Sequence, residues 1–399
     1  MDKVIVIGGG ASGLIAALKA SESSEVIIVE GNDKCGKKIL ITGNGKCNYW
    51  NSDITPNHFN ITESSLLKDI LSRKEEVLDF LYSLTIYPKI KNGYYYPMSG
   101  QAFSIREILF NEVKKRNITV LFNFKVTDIT KDKEKFVVHS ENDRLLADKV
   151  ILACGGSSYS KTGSDGTGYL LAAKLGHKLN KPLPGLVPLI TDTAYNWDGV
   201  RIDAGLTLYI SGKMSGYELG ELQLTKNGLS GICSLNLSGR VSRALDNGKR
   251  AQIRINFMPP IDDNLYTWFN KRNLELAGHT LQELLESIIN YKVLDVIFRV
   301  SQIKPDERWE NLSEEKRNIL ISYIGDFPIN IIDTESFDRA QTTVGGIPLE
   351  DINVKTMESK IIDNLYIVGE LLDVDGKCGG YNLAFAWISG YIAGLGVTK

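Results

Sequence analysis

Apolar residues along this chain change their spacing several times, and each change marks an element. Val4-Ile5-Val6-Ile7 is an unbroken apolar run, the pattern of a strand buried on both faces. It leads into Gly8-Gly9-Gly10-Ala11-Ser12-Gly13 and then into Leu14-Ile15-Ala16-Ala17-Leu18, which reads as a helix. Val26-Ile27-Ile28-Val29 repeats the buried-strand pattern and ends on Glu30. Two later runs behave alike: Lys149 to Cys154 stops at Gly155-Gly156, and Asn364 to Val368 stops at Gly369-Glu370. Each passes through a glycine-rich stretch into a helix, from Leu170 in the first case and from Leu383 to about Gly394 in the second. Strands that alternate with helices in this way predict an α/β fold with a parallel sheet.

A different rhythm separates these runs. Leu206–Ile210, Glu221–Thr225 and Gln252–Asn256 alternate as half-buried strands do. Pro259-Pro260 closes that β stretch, and from Asp262 to about Gly325 the spacing turns helical, with Leu281, Leu284, Leu285, Ile288 and Ile289 on one face.

The first strand and turn carry specific chemistry. Gly8, Gly10 and Gly13 form G-x-G-x-x-G between a strand and a helix. The first glycine serves the turn, the second lets a pyrophosphate approach the backbone, and the third lets helix and strand pack closely. Ala11 and Ser12 open the helix, whose free N–H groups suit phosphate oxygens. Glu30 follows Gly10 by 20 positions, the spacing at which an acid reaches a ribose hydroxyl. Together these predict a dinucleotide site. The next loop, Lys37, Lys38, Thr42, Gly43, Gly45, Lys46, Cys47 and Asn48, is basic and glycine-broken, fit to wrap a phosphate-bearing ligand or simply to be solvated.

Composition sharpens this picture. Of 37 glycines, 24 fall in residues 1–45, 155–185 and 345–399, so the excess is local, and these segments can converge on one ligand if the chain leaves a domain and returns. Net charge is −2, which argues against a polyphosphate partner held mainly by charge. No apolar stretch approaches the ~20 residues of a membrane helix. The start has no signal-like pattern, and Cys35, Cys47, Cys154, Cys233 and Cys378 lack C-x-x-C spacing, which together predict a reducing cytoplasm and no zinc site. His58, His139, His177 and His279 show no ligand spacing, and no metal is expected.

Six segments then match a known group: Gly36–Asn48 (GKKILITGNGKCN), Thr162–Tyr169 (TGSDGTGY), Gly220–Gly231 (GELQLTKNGLSG), Phe337–Leu349 (FDRAQTTVGGIPL), Thr356–Lys360 (TMESK) and Gly369–Trp387 (GELLDVDGKCGGYNLAFAW). At these residues the chain resembles the YhiN-like or BaiN-like bacterial flavoproteins, the NAD(P)/FAD-dependent oxidoreductases also called the aminoacetone oxidase family. The resemblance covers nearly the whole chain. It implies FAD as cofactor and a discontinuous Rossmann-like, glutathione-reductase-like flavin domain, here 1–188 with 337–399. It also implies an insert, β-barrel-like over 189–258 and helical over 259–336. Two departures stand out. Gly93 is followed by Tyr94-Tyr95-Tyr96-Pro97 where many members carry Gly-Arg, and Thr225-Lys226 with Ser230-Gly231-Ile232 replaces Thr-His and Ser-Gly-Pro.

With FAD as ligand, the remaining site residues acquire roles. Ala153, Gly155 and Thr162 belong to the second glycine segment, and Gly369 and Glu370 to the third, where Glu370 would bind a ribityl hydroxyl or phosphate through water. Gly379, Gly380, Tyr381, Asn382 and Leu383 would bring a helix start, with its positive dipole end, to the N1/O2 edge of the flavin. Val126, at the end of a strand read as Leu121–Val126, is assigned to adenine by resemblance alone. Catalytic side chains are not evident. Tyr95 and Tyr96 are candidates for an acid or a stacking wall, with an edge strand the blander reading, and Cys378 is a weaker candidate that reads more simply as a packed thiol. No second G-x-G-x-x-G unit appears, so NAD(P)H would be a transient electron donor. The expected reaction is hydride transfer through flavin N5 between NAD(P)H and an unsaturated or carbonyl-bearing small molecule. The alternatives are an amine oxidase using O2 and a non-catalytic FAD protein with a macromolecular partner. Oligomeric state and substrate identity are not legible.

Overall fold

The computed structural model describes residues 1–61, 64–259 and 264–398. Pro260 and Asp262, read above as the turn from β to helical pattern, lie outside the described residues. The chain divides into two compact units, Met1–Gly185 with Phe337–Lys399, and Leu186–Ser336.

The first unit is built on a seven-stranded sheet. Strand β1 (Lys3–Ile7) lies in its interior, parallel to β2 (Glu25–Glu30) on one side and to Lys149–Leu152, the middle strand, on the other. Thr119–Phe122 extends the parallel set beyond β2, and Leu365–Ile367 extends it beyond Lys149–Leu152. Two short antiparallel strands, Glu358–Ser359 and Ile352–Asn353, finish that edge. Val4, Ile5 and Val6 are fully buried, as are Val150, Ile151 and Leu152, which explains why these strands read as unbroken apolar runs. The chain leaves β1 toward β2, then returns to the other flank of β1 with Lys149–Leu152. This reversal opens a crevice at the carboxyl ends of the two strands, where ligands bind in open α/β sheets.

Helix α1 (Ala11–Ala20) and the last helix, Tyr381–Gly396, pack on each other with almost no side-chain volume between them. A Cβ on Gly390 would fall 2.3 Å from Ser12 O, and one on Gly394 would fall 2.7 Å from Ala16 O. Part of the C-terminal glycine excess therefore serves helix contact, not a ligand. A separate three-stranded antiparallel sheet has Tyr94–Pro97 between Trp50–Asn51 and Pro88–Lys91. The triple tyrosine is thus on a central strand, not an edge.

The second unit contains a closed barrel in the order Leu189–Thr191, Gly228–Ser230, Lys213–Thr225, Arg201–Ile210, Ala251–Asn256, Phe327–Thr334. Leu206, Leu208, Leu222, Leu224, Ile253 and Ile255 alternate inward and are fully buried. Two elements cross the division read from the pattern. Helix Ile232–Asp246 lies within the β stretch, and strand Phe327–Thr334, beyond the helical stretch, pairs with both Ala251–Asn256 and Leu189–Thr191 to close the barrel. The helices between them bury Trp309 and Phe269, stacked with ring centroids 4.6 Å apart. Thr280 and Glu283 form a capping box at the start of one of these helices.

Candidate functional site

The end of β1 is shaped by three glycines with three different jobs. Gly8 has φ +104°, and a Cβ there would lie 2.4 Å from Ala153 O on the neighbouring strand. A Cβ on Gly13 would lie 1.9 Å from Gly8 O, so α1 meets the turn backbone to backbone. Gly10 is different: a Cβ there would meet nothing within 4 Å. It faces a cleft of about 440 Å³ that opens at the carboxyl ends of β1 and Lys149–Leu152. Gly10 is also the N-cap of α1 and brings no capping side chain, so the helix start offers its N–H groups to whatever enters.

The carboxylate at the end of β2 is held in place by backbone. Glu30 is buried, its Oε2 accepts the Gly9 N–H at 2.8 Å, and its Oε1 accepts from Asn32 N at 2.9 Å and Asn32 Nδ2 at 2.8 Å. Oε1 is filled by these two donors, and Oε2 keeps a lone pair for a further one. Lys37 turns away, toward Asp33 and Asn32 Oδ1. Lys38 crosses the cleft wall, its Nζ 2.6 Å from Glu370 Oε2 and 2.7 Å from Ser158 Oγ. Glu370 Oε1 also accepts from Ser158 Oγ and from the Thr343 N–H at 2.7 Å. The Glu370 carboxylate is therefore engaged by protein donors, where the sequence reading had given it to a ligand through water.

Of the residues singled out from sequence, the cleft is lined by Gly8, Gly10, Ala11, Ser12, Glu30, Lys37, Lys38, Thr42, Val126, Ala153, Gly155, Thr162, Glu370, Asn382 and Leu383. Val126 arrives differently from expectation. The strand ends at Phe122, and Val126 belongs to the following segment, pinned where Phe124 N donates to Glu30 O. Gly13 and Gly369 support the wall from behind. Gly43 and Gly45 lie in an exposed turn that Lys46 follows, also exposed, and Cys47 is wholly buried. Asn48 lies against Gly380, whose added Cβ would sit 2.9 Å from the Asn48 side-chain amide.

Gly379, Gly380 and Tyr381 form the approach to the last helix, just before Asn382 and Leu383 enter the cleft wall. Asn382 latches this turn, accepting from Gly376 N and donating to Gly376 O, each at 2.8 Å. Tyr95 is turned to the interior, edge-on to the buried ring of Tyr49 at 6.3 Å, and Tyr96 lies on the opposite face of its strand. Cys378 is half-buried, in no disulfide, and does not line the cleft.

The lining also includes Asn32, Phe124, Lys125, Cys154, Asp165, Gln341 and Thr342, none of them a site candidate from sequence. Lys125 and Asp165 join opposite parts of that lining, Nζ to Oδ2 at 2.8 Å. Asp165, Gln341 and Thr342 had a usable signal, as members of the 162–169 and 337–349 motifs. Burial pushes the thiols of Cys35, Cys47 and Cys154 up to about 12, which removes them as redox nucleophiles at neutral pH. Among the described residues no group of His, Cys, Asp and Glu could hold a metal ion, and no helix is long and apolar enough to cross a membrane.

The described features fit a dinucleotide: a glycine whose missing Cβ leaves the cleft open, an uncapped helix start beside it, and an acid fixed at the next strand end. Comparison with known proteins agrees. Residues 2–396 match the model of the HI0933-like protein Rossmann domain. Across all of both chains the sequence is 35% identical to a 3-dehydro-bile acid delta(4,6)-reductase of Clostridium scindens. It is 26% identical to a ribosomal RNA dihydrouridine synthase of Escherichia coli, over 97% of this chain and 96% of that one. A solved 3-ketosteroid-delta4-(5alpha)-dehydrogenase from Rhodococcus jostii superposes with a TM-score of 0.51 at 14% identity, over 100% of this chain and 97% of that one, a likeness of fold.

Proposed function

Since this chain belongs to the HI0933-like Rossmann family and is an FAD-dependent oxidoreductase, we propose that it saturates a carbon–carbon double bond conjugated to a carbonyl in a small apolar molecule, with NAD(P)H as transient reductant. The observation that carries this reading is full-length similarity to a delta(4,6)-reductase, joined to a cleft of dinucleotide type in this chain. The E. coli relative is named for making dihydrouridine, which is also the saturation of a ring double bond. Conjugation matters because hydride addition places a negative charge on the acceptor, and a carbonyl oxygen takes up that charge where an isolated alkene cannot.

FAD, when bound, supplies hydride chemistry at its N5 position. The chain's part is to hold and orient. The start of α1, with Gly10 and Ser12, would take the pyrophosphate, and Glu30 a ribose hydroxyl. The Val126 segment would border the adenine. Lys38, fixed by Glu370, would put one cation beside the phosphates and ribityl chain, and Asn382 and Leu383 would bring the last helix to the flavin ring.

The test is anaerobic. FAD-loaded protein is mixed with NADPH or NADH and its flavin absorbance followed, and a conjugated 3-oxo steroid is then added. Bleaching by the nicotinamide and recovery with the enone is the expected result. Bleaching by an amine alone, with peroxide in air, would replace this reading with an amine oxidase. The likeness to the E. coli enzyme favours one rival substrate, ribosomal RNA. Recovery of colour with unmodified RNA but not with the enone would make that rival the function.

A further inference from the structure

Saturating a conjugated double bond needs a proton as well as a hydride, and nothing assigned so far supplies one. The three-stranded sheet next to the last helix holds a candidate. On strand Tyr94–Pro97, side chains alternate between faces. Tyr95, paired with Ile90 and Trp50, turns to buried Tyr49, whereas Tyr94, paired with Lys91 and Asn51, turns to the other face. There it meets the turn that starts the last helix. A Cβ on Gly379 would lie 2.9 Å from Tyr94 Cε1 and 2.9 Å from Tyr381 Cε2, so the two rings flank one glycine. Asn51, next along the adjacent strand, donates from Nδ2 to Gly379 O at 3.0 Å.

Behind this pair the packing is rigid. The His58 ring stacks on Tyr381 at 4.6 Å with 15° between planes, and His58 Nε2 lies 2.7 Å from Asp53 Oδ2. Burial, with Tyr94 and Asp53 adding, pushes the Tyr381 phenol up to about 12, so it stays neutral. Tyr94 is only partly buried and keeps access to water. Tyr94 and Tyr381 are not among the residues that line the cleft, but Asn382, the next residue after Tyr381, is. Of the tyrosines in the run, the register turns Tyr95 away and leaves Tyr94 and Tyr96 on one face, and the contact at Gly379 selects Tyr94.

We propose that Tyr94 is the general acid of the reduction, and that Tyr381, His58 and Asp53 are positioning residues that hold it against Gly379. This rests on the reductive reading above. Hydride forms a bond to the β-carbon of the substrate. The C=C pair becomes a new bond between the α-carbon and the carbonyl carbon, and the carbonyl pair moves onto oxygen. That oxygen takes the phenolic proton of Tyr94. The enol formed then tautomerises to the saturated ketone, and the tyrosine oxygen regains a proton from water. One hydride and one proton enter, and NAD(P)H is the reductant consumed.

The experiment compares wild type, Tyr94→Phe and, as control, the exposed Tyr87→Phe, all loaded with FAD. In a 3-oxo-4-ene steroid assay, Tyr94→Phe should slow reoxidation of the reduced flavin about 100-fold, the lower range of general acid catalysis. It should also weaken binding of a saturated 3-oxo steroid, read from the flavin spectrum, about 10-fold, while the Kd for FAD and the Tyr87→Phe variant stay at wild-type values. Should Tyr94→Phe not retain FAD, the wild-type solvent isotope effect on reoxidation decides: above about 2 supports the proposal, and near 1 overturns it. A Tyr94→Phe variant with wild-type reoxidation and ketone binding overturns the role of Tyr94 but leaves the reductase standing. A wild type that reduces no enone overturns both.

Discussion

Lys38 Nζ and Glu370 Oε2 lie 2.6 Å apart across 332 residues of sequence, and the contact joins the basic loop after β2 to the strand end that returns late in the chain. Both side chains are about a quarter exposed (23% and 22%), so solvent weakens the pair without dissolving it. Glu370→Gln leaves the Lys38 ammonium without a counter-charge and loosens the contacts from Ser158 and Thr343. We expect a loss of about 1–2 kcal/mol in urea unfolding of the FAD-free protein. The double change Lys38→Met with Glu370→Gln should recover part of that loss, and strictly additive effects would show the pair is not coupled.

The glycines of the first turn should separate folding from binding. Gly13→Ala forces a methyl to within 1.9 Å of Gly8 O, and should cost about 2–3 kcal/mol of stability. Gly10→Val places its side chain in open cleft. The FAD-free protein should therefore lose no more than about 1 kcal/mol, while FAD affinity falls at least about 100-fold by fluorescence titration. Equal damage to stability from both changes would refute this assignment of the cleft.

Thiol reactivity gives a chemical check on burial. Raised to about 12, Cys35, Cys47 and Cys154 hold almost no thiolate at pH 8. Iodoacetamide at that pH should leave all three unmodified in the native protein and label them in urea, as read by peptide mass spectrometry. Rapid native labelling of Cys154 would mean that the cleft floor is more open than described.

Acid sensitivity should trace to His177. Ser359 Oγ accepts the N–H groups of Ile361 and Ile362, so its own proton goes to His177 Nε2 at 3.0 Å. That leaves the imidazole proton on Nδ1, 3.6 Å from Asp351 Oδ2. Burial lowers the His177 pKa, and the raising effect of Asp351 does not cancel it. The folded state therefore binds this proton less readily than the unfolded chain. Its contribution to stability is complete above the unfolded value of about 6.5 and falls as pH drops below it. His177→Gln should flatten the decline in melting temperature between pH 6.5 and 5, and an unchanged slope would assign that decline to other groups.

Much of the first unit was legible because its signals are local. A buried parallel strand is an apolar run, a tight turn is glycine, and Glu30 follows at a fixed distance, so β1, α1, β2 and the cleft floor could be placed without neighbours. The strands Arg201–Ile210 and Ala251–Asn256 were equally clear from alternation. What escaped depends on pairing over long distances. Strand Phe327–Thr334 closes the barrel with partners about 80 and 140 residues away. Lys125, Asp165 and Thr342 enter the cleft because three segments meet there; the 162–169 and 337–349 motifs flag two of them, and nothing near Lys125 announces the third. The tyrosine run could be flagged but not resolved: in a run of identical residues, only the strand register and the contact at Gly379 separate Tyr94 from its neighbours.

The division of the first unit into Met1–Gly185 and Phe337–Lys399 has a temporal consequence. On a ribosome, the Gly8–Gly13 turn and Glu30 emerge early, but α1 stays uncovered on one side until Tyr381–Gly396 can dock, and Lys38 waits equally long for Glu370. The barrel lies between these events in sequence and can close first. Cofactor loading is thus a late act of biosynthesis, and a nascent chain halted before residue 365 should carry a finished barrel and a flavin site that cannot yet retain its ligand.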